Sequence, residues 1–171
     1  QVSVSDFEGS IEEYEEKLCK FIEQVKYRKE NKRKLRLGYI GVPPMTGDIY
    51  EFVEGLDSQI IYNEVQREFA FPRVEEAKDI YYQYYDYTYP YDVHVRLDEI
   101  KKQLELRQLD GIIHYTQSFC YRAVQDIVIK EKLNIPILNI EGDKLNKLDA
   151  RTKLRIEAFI DMLHDRKEGI V

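Results

Sequence analysis

Apolar residues near the start of the chain recur at helical intervals, with Ile11, Tyr14, Leu18, Phe21, Ile22 and Val25 on one stripe. Ser5 with Glu8, and Ser10 with Glu13, have the spacing of a capping box, in which a hydroxyl and a carboxylate satisfy each other's backbone N–H groups. The pattern predicts a long amphipathic helix ending near Asn31. The period then changes. KLRLGYIGV predicts a first strand from Leu35 to Val42, stopped by Pro43 and Pro44, and a short helix starts within Thr46 to Asp48 and ends near Gly55. SQIIYNEV predicts a second strand over Ser58 to Val65. The third runs from Gly111 to Tyr115 and the fourth from Ile135 to Ile140, with helices from about Phe119 to Leu133 and from Asp149 to about Arg166. Four short apolar strands, most followed by helices, pack best as a parallel sheet covered on both faces. The expected fold is α/β, a flavodoxin-like three-layer arrangement with strand order 2-1-3-4.

The connection from Gln66 to Leu109 is too long for a plain loop in a compact domain. Leu97, Ile100 and Leu104 predict one helix before the third strand. Ahead of it lies IYYQYYDYTYPYDV, with seven tyrosines from Tyr81 to Tyr91. This segment reads either as an aromatic-rich helix and turn over the sheet edge or as an insertion forming a ligand lid or subunit interface. Stacking of nucleic-acid bases is disfavoured by the acidic balance of the chain.

At 171 residues, 43% hydrophobic and 34% charged, the chain can build one domain with a substantial core. A net charge of -6 and a pI near 5.2 provide no general field for polyanions. The only basic run, Lys32, Arg33, Lys34 and Arg36, reads as a solvated connector, so no nucleic-acid partner is expected. No stretch approaches the roughly 18 apolar residues of a membrane span, and QVSVSDFEG is not a secretory signal. Two distant cysteines and no Asn-x-Ser/Thr acceptor fit a reducing compartment. The expectation is a soluble, cytoplasmic domain. The start at Gln1 points to a fragment of a longer protein, with 1–33 as a lead-in helix and 34–171 as its C-terminal α/β domain.

Candidate chemistry concentrates between Asp110 and Asp126, DGIIHYTQSFCYRAVQD, where Cys120 falls at the junction of the third strand and its helix. Ligands of open parallel sheets bind beyond the carboxyl ends of the strands. A helix N-terminus there favours a thiol as its thiolate, which attacks electrophiles and binds metals. Walker A, dinucleotide-binding, serine-hydrolase and zincin motifs are absent, as is C-x-x-C. Asp126 occupies the place, six residues after Cys120, where a phosphatase needs a basic group. Residues alone leave Cys120 as nucleophile, metal ligand or packed side chain. His114 is either its base or a satisfied sheet residue, and Cys19 reads as a small, buried apolar residue in the first helix. Ser118 is the expected N-cap of the third strand's helix, and Gln117 points into the crevice. Glu141-Gly142-Asp143 reads as a tight turn at the same edge, with a role in the site left open. Tyr115, Arg122 and Asn63 are weaker candidates. Arg122 would either meet the phosphates of a ligand or lie on a solvated helix surface.

The stretch DGIIHYTQSFCYRAVQDIVIKEKLNIPILNIEGDKLNKLDARTKLRIEAFIDML resembles the C-terminal part of the 2-hydroxyacyl-CoA dehydratase and benzoyl-CoA reductase family, iron-sulfur enzymes of anaerobic acyl-CoA metabolism. LRLGYIGVPP and IIYNEVQREFAFP are similar to the first two βα units of that family's C-terminal domain. Coverage thus runs from about Lys34 onward. Gln117, Ser118, Phe119 and Cys120, then Glu141, Gly142 and Asp143 joined to LDARTKLRIEAFIDML, are the most specific pieces.

The resemblance implies that Cys120 is one ligand of a 4Fe-4S cluster held between two α/β domains. It further implies that Gln117, Ser118, Glu141, Gly142 and Asp143 border an acyl-CoA site. An ATP-dependent activator iron-sulfur protein would inject one low-potential electron, passed to the acyl-CoA thioester to give a ketyl-type radical that loses β-hydroxide, or into an aromatic ring. A second homologous subunit is a further expected partner. One matched cysteine cannot hold a cubane, so the isolated domain is expected to be inactive and without cluster. A related double-cubane reductase of small molecules, and a non-catalytic flavodoxin-like interaction module, are the alternatives.

Overall fold

A computed structural model of the chain describes residues 8–28, 34–70, 79–85, 93–143 and 147–170. Strands β1 (Leu35–Gly41), β2 (Ser58–Asn63), β3 (Gly111–Thr116) and β4 (Ile137–Glu141) form one parallel sheet in the order β2-β1-β3-β4. The helices among the described residues are α1 (Ile11–Lys26), α2 (Ile49–Glu54), α3 (Glu64–Phe69), α4 (Ile80–Tyr85), α5 (Val93–Arg107), α6 (Tyr121–Lys132) and α7 (Ala150–Lys167).

Alternation along the strands divides the core in two. Leu35, Leu37, Tyr39, Ile113 and Tyr115 pack under α2 and α7 through Ile49, Val53, Ile156, Phe159 and Ile160. On the other face Ile40, Tyr62 and Ile112 pack under α5 and α6 through Leu97, Ile100, Ile129 and Leu133. Burial on both faces is why these strands read as nearly unbroken apolar runs rather than as alternating ones. The result is the three-layer, flavodoxin-like arrangement that the pattern predicts, in the order it predicts.

The differences lie at element ends. β2 stops at Asn63, and Glu64 and Val65 open α3, with the Asn63 side chain accepting from the Gln66 N–H at 3.5 Å. β4 starts at Ile137, two residues after the expected Ile135, although the Pro136 carbonyl just ahead of it already accepts the Ile112 N–H at 3.0 Å. The 66–109 connection holds α4 and α5 besides most of α3. Tyr81, Tyr82, Tyr84 and Tyr85 are exposed on α4, and the rest of the tyrosine segment lies outside the described residues.

The Ser10–Glu13 capping box is present at the start of α1, while Ser5 lies outside the described residues. The helix ends at Lys26, before the Asn31 expected from its pattern. None of its residues is buried, so Cys19 is exposed, against the expectation of a buried thiol. Periodicity identifies an apolar stripe but not what the stripe meets. Among the described residues, no helix is long and apolar enough to cross a membrane.

Candidate functional site

The sheet order changes direction between β1 and β3, so the crevice at their carboxyl ends is where this fold exposes a site. The two strands approach closely there. The Val42 N–H donates to the Tyr115 carbonyl at 3.0 Å, and Gly41, at φ +106°, would carry a Cβ only 2.0 Å from that oxygen. Only glycine fits this position. The Tyr115 ring is buried, and its hydroxyl donates to the Gly142 carbonyl and accepts from the Met45 N–H, each at 3.1 Å. A Cβ on Gly142 would stand 2.3 Å from the same hydroxyl. Tyr115 therefore bridges the loop after β1 to the turn after β4 across the crevice. Burial raises its phenol pKa, which keeps it a neutral hydrogen-bonding post.

Beside it, the Ser118 N–H donates to Asp143 Oδ1 at 2.7 Å, and the Ser118 hydroxyl donates to Asp143 Oδ2, with Glu141 Oε1 also within 3.3 Å of that hydroxyl. The hydrogen bonds from Ser118 hold the Asp143 carboxyl below its ordinary range. The expected N-cap role of Ser118 is thus overturned: its side chain fastens the turn after β3 to the turn after β4. Thr46, Tyr115, Glu141, Gly142, Asp143 and Lys147 line part of a cavity of about 290 Å³ at this edge. A second cavity, of about 300 Å³ around Leu109 and Leu163, opens at the opposite edge, where the Asp110–Lys167 ion pair lies.

Cys120 is the N-cap of α6, half-buried, and its thiol makes no capping hydrogen bond. The helix therefore begins two residues later than its pattern predicts. A turn precedes it, closed by Cys120 N–H to the Gln117 carbonyl at 3.0 Å, with Phe119 at φ +62°. A positive φ at the third turn position is one that glycine normally takes, and a bulky side chain there is strained by roughly 1–3 kcal/mol. Phe119 is also fully exposed.

From that point α6 has an inverted character. Tyr121, Val124 and Ile127 face outward, the last two about three-quarters exposed, while Arg122 is buried and Gln125 and Asp126 are half-buried. The solvated position expected for Arg122 is incorrect. The inward polar side chains meet a buried network that the sequence reading missed. Glu64 takes a bidentate pair from Arg96, at 2.7 and 2.8 Å, and accepts the Gly41 N–H at 2.9 Å, while Arg96 also donates to Gln125. Burial alone would raise the Glu64 pKa, yet Arg96, the Gly41 N–H and the nearby Arg122 hold it below its ordinary value. His114 pairs through Nδ1 with Asp126 at 3.0 Å, so its ring is oriented by α6 from within rather than by Cys120. Desolvation lowers its pKa despite that carboxylate, which makes the ring neutral. This network fixes α6, and with it Cys120, to the end of β1.

The fold thus gathers Gln117, Ser118, Cys120, Glu141, Gly142 and Asp143 on one edge, with Tyr115 beneath them. Asn63 is engaged elsewhere, capping α3 and donating to the Tyr50 hydroxyl. Only Glu64, directly after the apolar run IIYN, offered a local clue to this network; Arg96 sits among His94, Asp98 and Glu99, a pattern that reads as solvent-facing. Among the described residues, no group of three or more His, Cys, Asp or Glu side chains is placed to hold a metal ion. In comparisons with known proteins, the family model for 2-hydroxyglutaryl-CoA dehydratase, D-component, matches residues 2–163. No curated protein matches the chain.

Proposed function

The chain belongs to the 2-hydroxyglutaryl-CoA dehydratase, D-component family, and from that membership we propose that it contributes Cys120 as one thiolate ligand to a 4Fe-4S cluster of a 2-hydroxyacyl-CoA dehydratase-type enzyme. The observation that carries this reading is the position of Cys120. Its thiol stands at the N-terminus of a 12-residue helix, at the sheet edge where this fold binds ligands, and is not used to cap that helix. Cysteine thiolates are the usual protein ligands of iron-sulfur clusters. The donor set fits the group as one ligand of a shared site, with the other thiolates coming from a further polypeptide surface. Exposed Phe119, Tyr121, Val124 and Ile127 around and below Cys120 are suited to being covered by that surface.

When bound, the cluster supplies a single electron at low potential to the acyl-CoA thioester. The work of this chain is placement and exclusion. The cavity of about 290 Å³ beside Tyr115 and Gly142 suits the acyl end of the thioester. Asp143, ionised and held by Ser118, together with Glu141 repels the CoA phosphates and so directs them away from this end. Tyr115 keeps the crevice at a fixed width and presents no charge to it.

The test is Cys120→Ser in the full-length protein, prepared without oxygen. Iron, acid-labile sulfide and the electron paramagnetic resonance of the reduced protein are compared with wild type. The cluster is expected to be lost or converted while the circular dichroism of the protein is preserved. A variant with wild-type iron, sulfide and resonance removes Cys120 from the ligand set.

A further inference from the structure

The front half of α6 faces the domain with polar side chains only. From Tyr121 to Ile127 its large apolar residues, Tyr121, Val124 and Ile127, are exposed, and the inward side chains are Arg122, Gln125 and Asp126. Firm apolar anchoring begins with Ile129, the one buried apolar residue of the helix. Under the front half lies His114, wholly buried on β3. Its Nδ1 meets Asp126 Oδ1 at 3.0 Å, and its Nε2 has no hydrogen-bond partner among the described residues. Charged groups surround the ring. From α6 come Asp126, which also holds Lys130 at 2.9 Å, and Arg122; from α5 comes Arg96, and from α3 Glu64. β4 contributes the Asn139 amide, opposite His114 in the sheet and bonded to Asp126, and β1 the backbone of Gly41. Glu64 already accepts two N–H groups from Arg96 and one from Gly41, so its oxygens are committed.

We propose that His114 is an acid-operated latch: a proton taken up at Nε2 releases the front half of α6, and with it the turn that carries Cys120, while the sheet and the rear of α6 stay folded. In the neutral ring Nδ1–H donates to Asp126, and only the bare Nε2 goes unmet. A proton from solvent at Nε2 creates a buried N–H donor without an acceptor and places a second cation beside the Arg96 guanidinium. Opening the front half relieves both, because the ring on β3 then faces water. The rear half keeps Ile129 in the core with Leu133, so the helix pivots there. Burial lowers the His114 pKa from its ordinary 6.5, so the open form protonates first as pH falls below that value. Its share then rises by up to about tenfold per pH unit. The latch does not depend on any cluster at Cys120.

Amide hydrogen exchange of the chain at about pH 7.5 and about pH 5.5, corrected for the intrinsic pH dependence of exchange, tests the proposal. The Gln125, Asp126 and Ile127 amides should lose protection by about three- to tenfold at the lower pH. Low urea promotes global unfolding and leaves local opening unchanged, so exchange at these amides should ignore about 1 M urea while that of Ile112 and Ile113 in β3 responds to it. His114→Gln should abolish the pH-dependent loss in α6. Should that variant not fold, the wild type decides alone: protection in α6 must fall over the same pH interval in which the His114 imidazole resonance titrates. Protection in α6 that ignores pH, urea-sensitive exchange there as in β3, a loss that persists in His114→Gln, or a His114 titration outside the interval overturns the proposal.

Discussion

Replacing Glu64 with glutamine removes one charge from the centre of the buried network while nearly keeping its shape. Arg96, wholly buried, would then face an amide instead of a carboxylate, with the buried Arg122 guanidinium nearby and no longer offset. Breaking a buried ion pair by neutralising one partner costs about 3–5 kcal/mol, because the remaining charge stays desolvated. The glutamine oxygen still accepts one hydrogen bond, so the expected loss is near the lower end, ~3 kcal/mol. For a domain of this size that lowers the melting temperature by roughly 6–12 °C. Urea unfolding followed by circular dichroism should show a lower midpoint at unchanged slope. Adding Arg96→Met removes the stranded charge, so the double variant should be more stable than Glu64→Gln alone. The pH dependence follows from the same pair. The Glu64 carboxyl titrates below its ordinary value of 4.5 in the fold, so its contribution is complete above that pH and is lost as pH falls toward the folded value. Glu64→Gln should remove that part of the acid destabilisation. A loss below about 1 kcal/mol, or a double variant no better than the single, would refute the reasoning.

Other perturbations test neighbouring parts. His114 is buried with its pKa lowered from 6.5, so the unfolded chain takes up a proton first as pH falls, and stability should decline from about pH 6.5 downward. Melting curves of His114→Gln across that range should show a shallower decline. Gly142→Ala places a methyl against the Tyr115 hydroxyl and should cost about 1–3 kcal/mol by displacing its hydrogen bonds to Met45 and Gly142, measurable by urea unfolding. Phe119→Gly relieves a left-handed backbone at an exposed site and should leave stability unchanged or raise it by up to about 1 kcal/mol. If Cys120 is a cluster ligand as proposed, Phe119→Gly in the full-length protein should lower its iron content, because the apolar cover beside Cys120 is gone. A destabilised Phe119→Gly would instead show that the ring packs within this domain.

Much of the fold follows from the order of the residues alone. The change from helical to strand period at Leu35, the breaks at Pro43 and Pro44 and the return of helical spacing before β3 establish four strands with helical crossovers, and a parallel sheet is the arrangement that buries such strands on both faces. Cys120 was legible as a candidate because a polar turn follows the apolar run of β3. Capping geometry was not. Ser118, a good N-cap by type, is drawn off by Asp143, which is 25 positions later and reaches it only because β3 and β4 pair in register. Arg122, Glu64 and Arg96 carry charges that local patterns assign to solvent. They are buried because three helices and the end of β1 converge on them, and each charge is stabilised inside only by a partner distant in sequence. The α1 stripe shows the complementary case. Sequence determined that this helix has an apolar face, a property of spacing along one axis. Only the tertiary structure decided that no residue of this helix is buried, since burial depends on where the rest of the chain comes to lie.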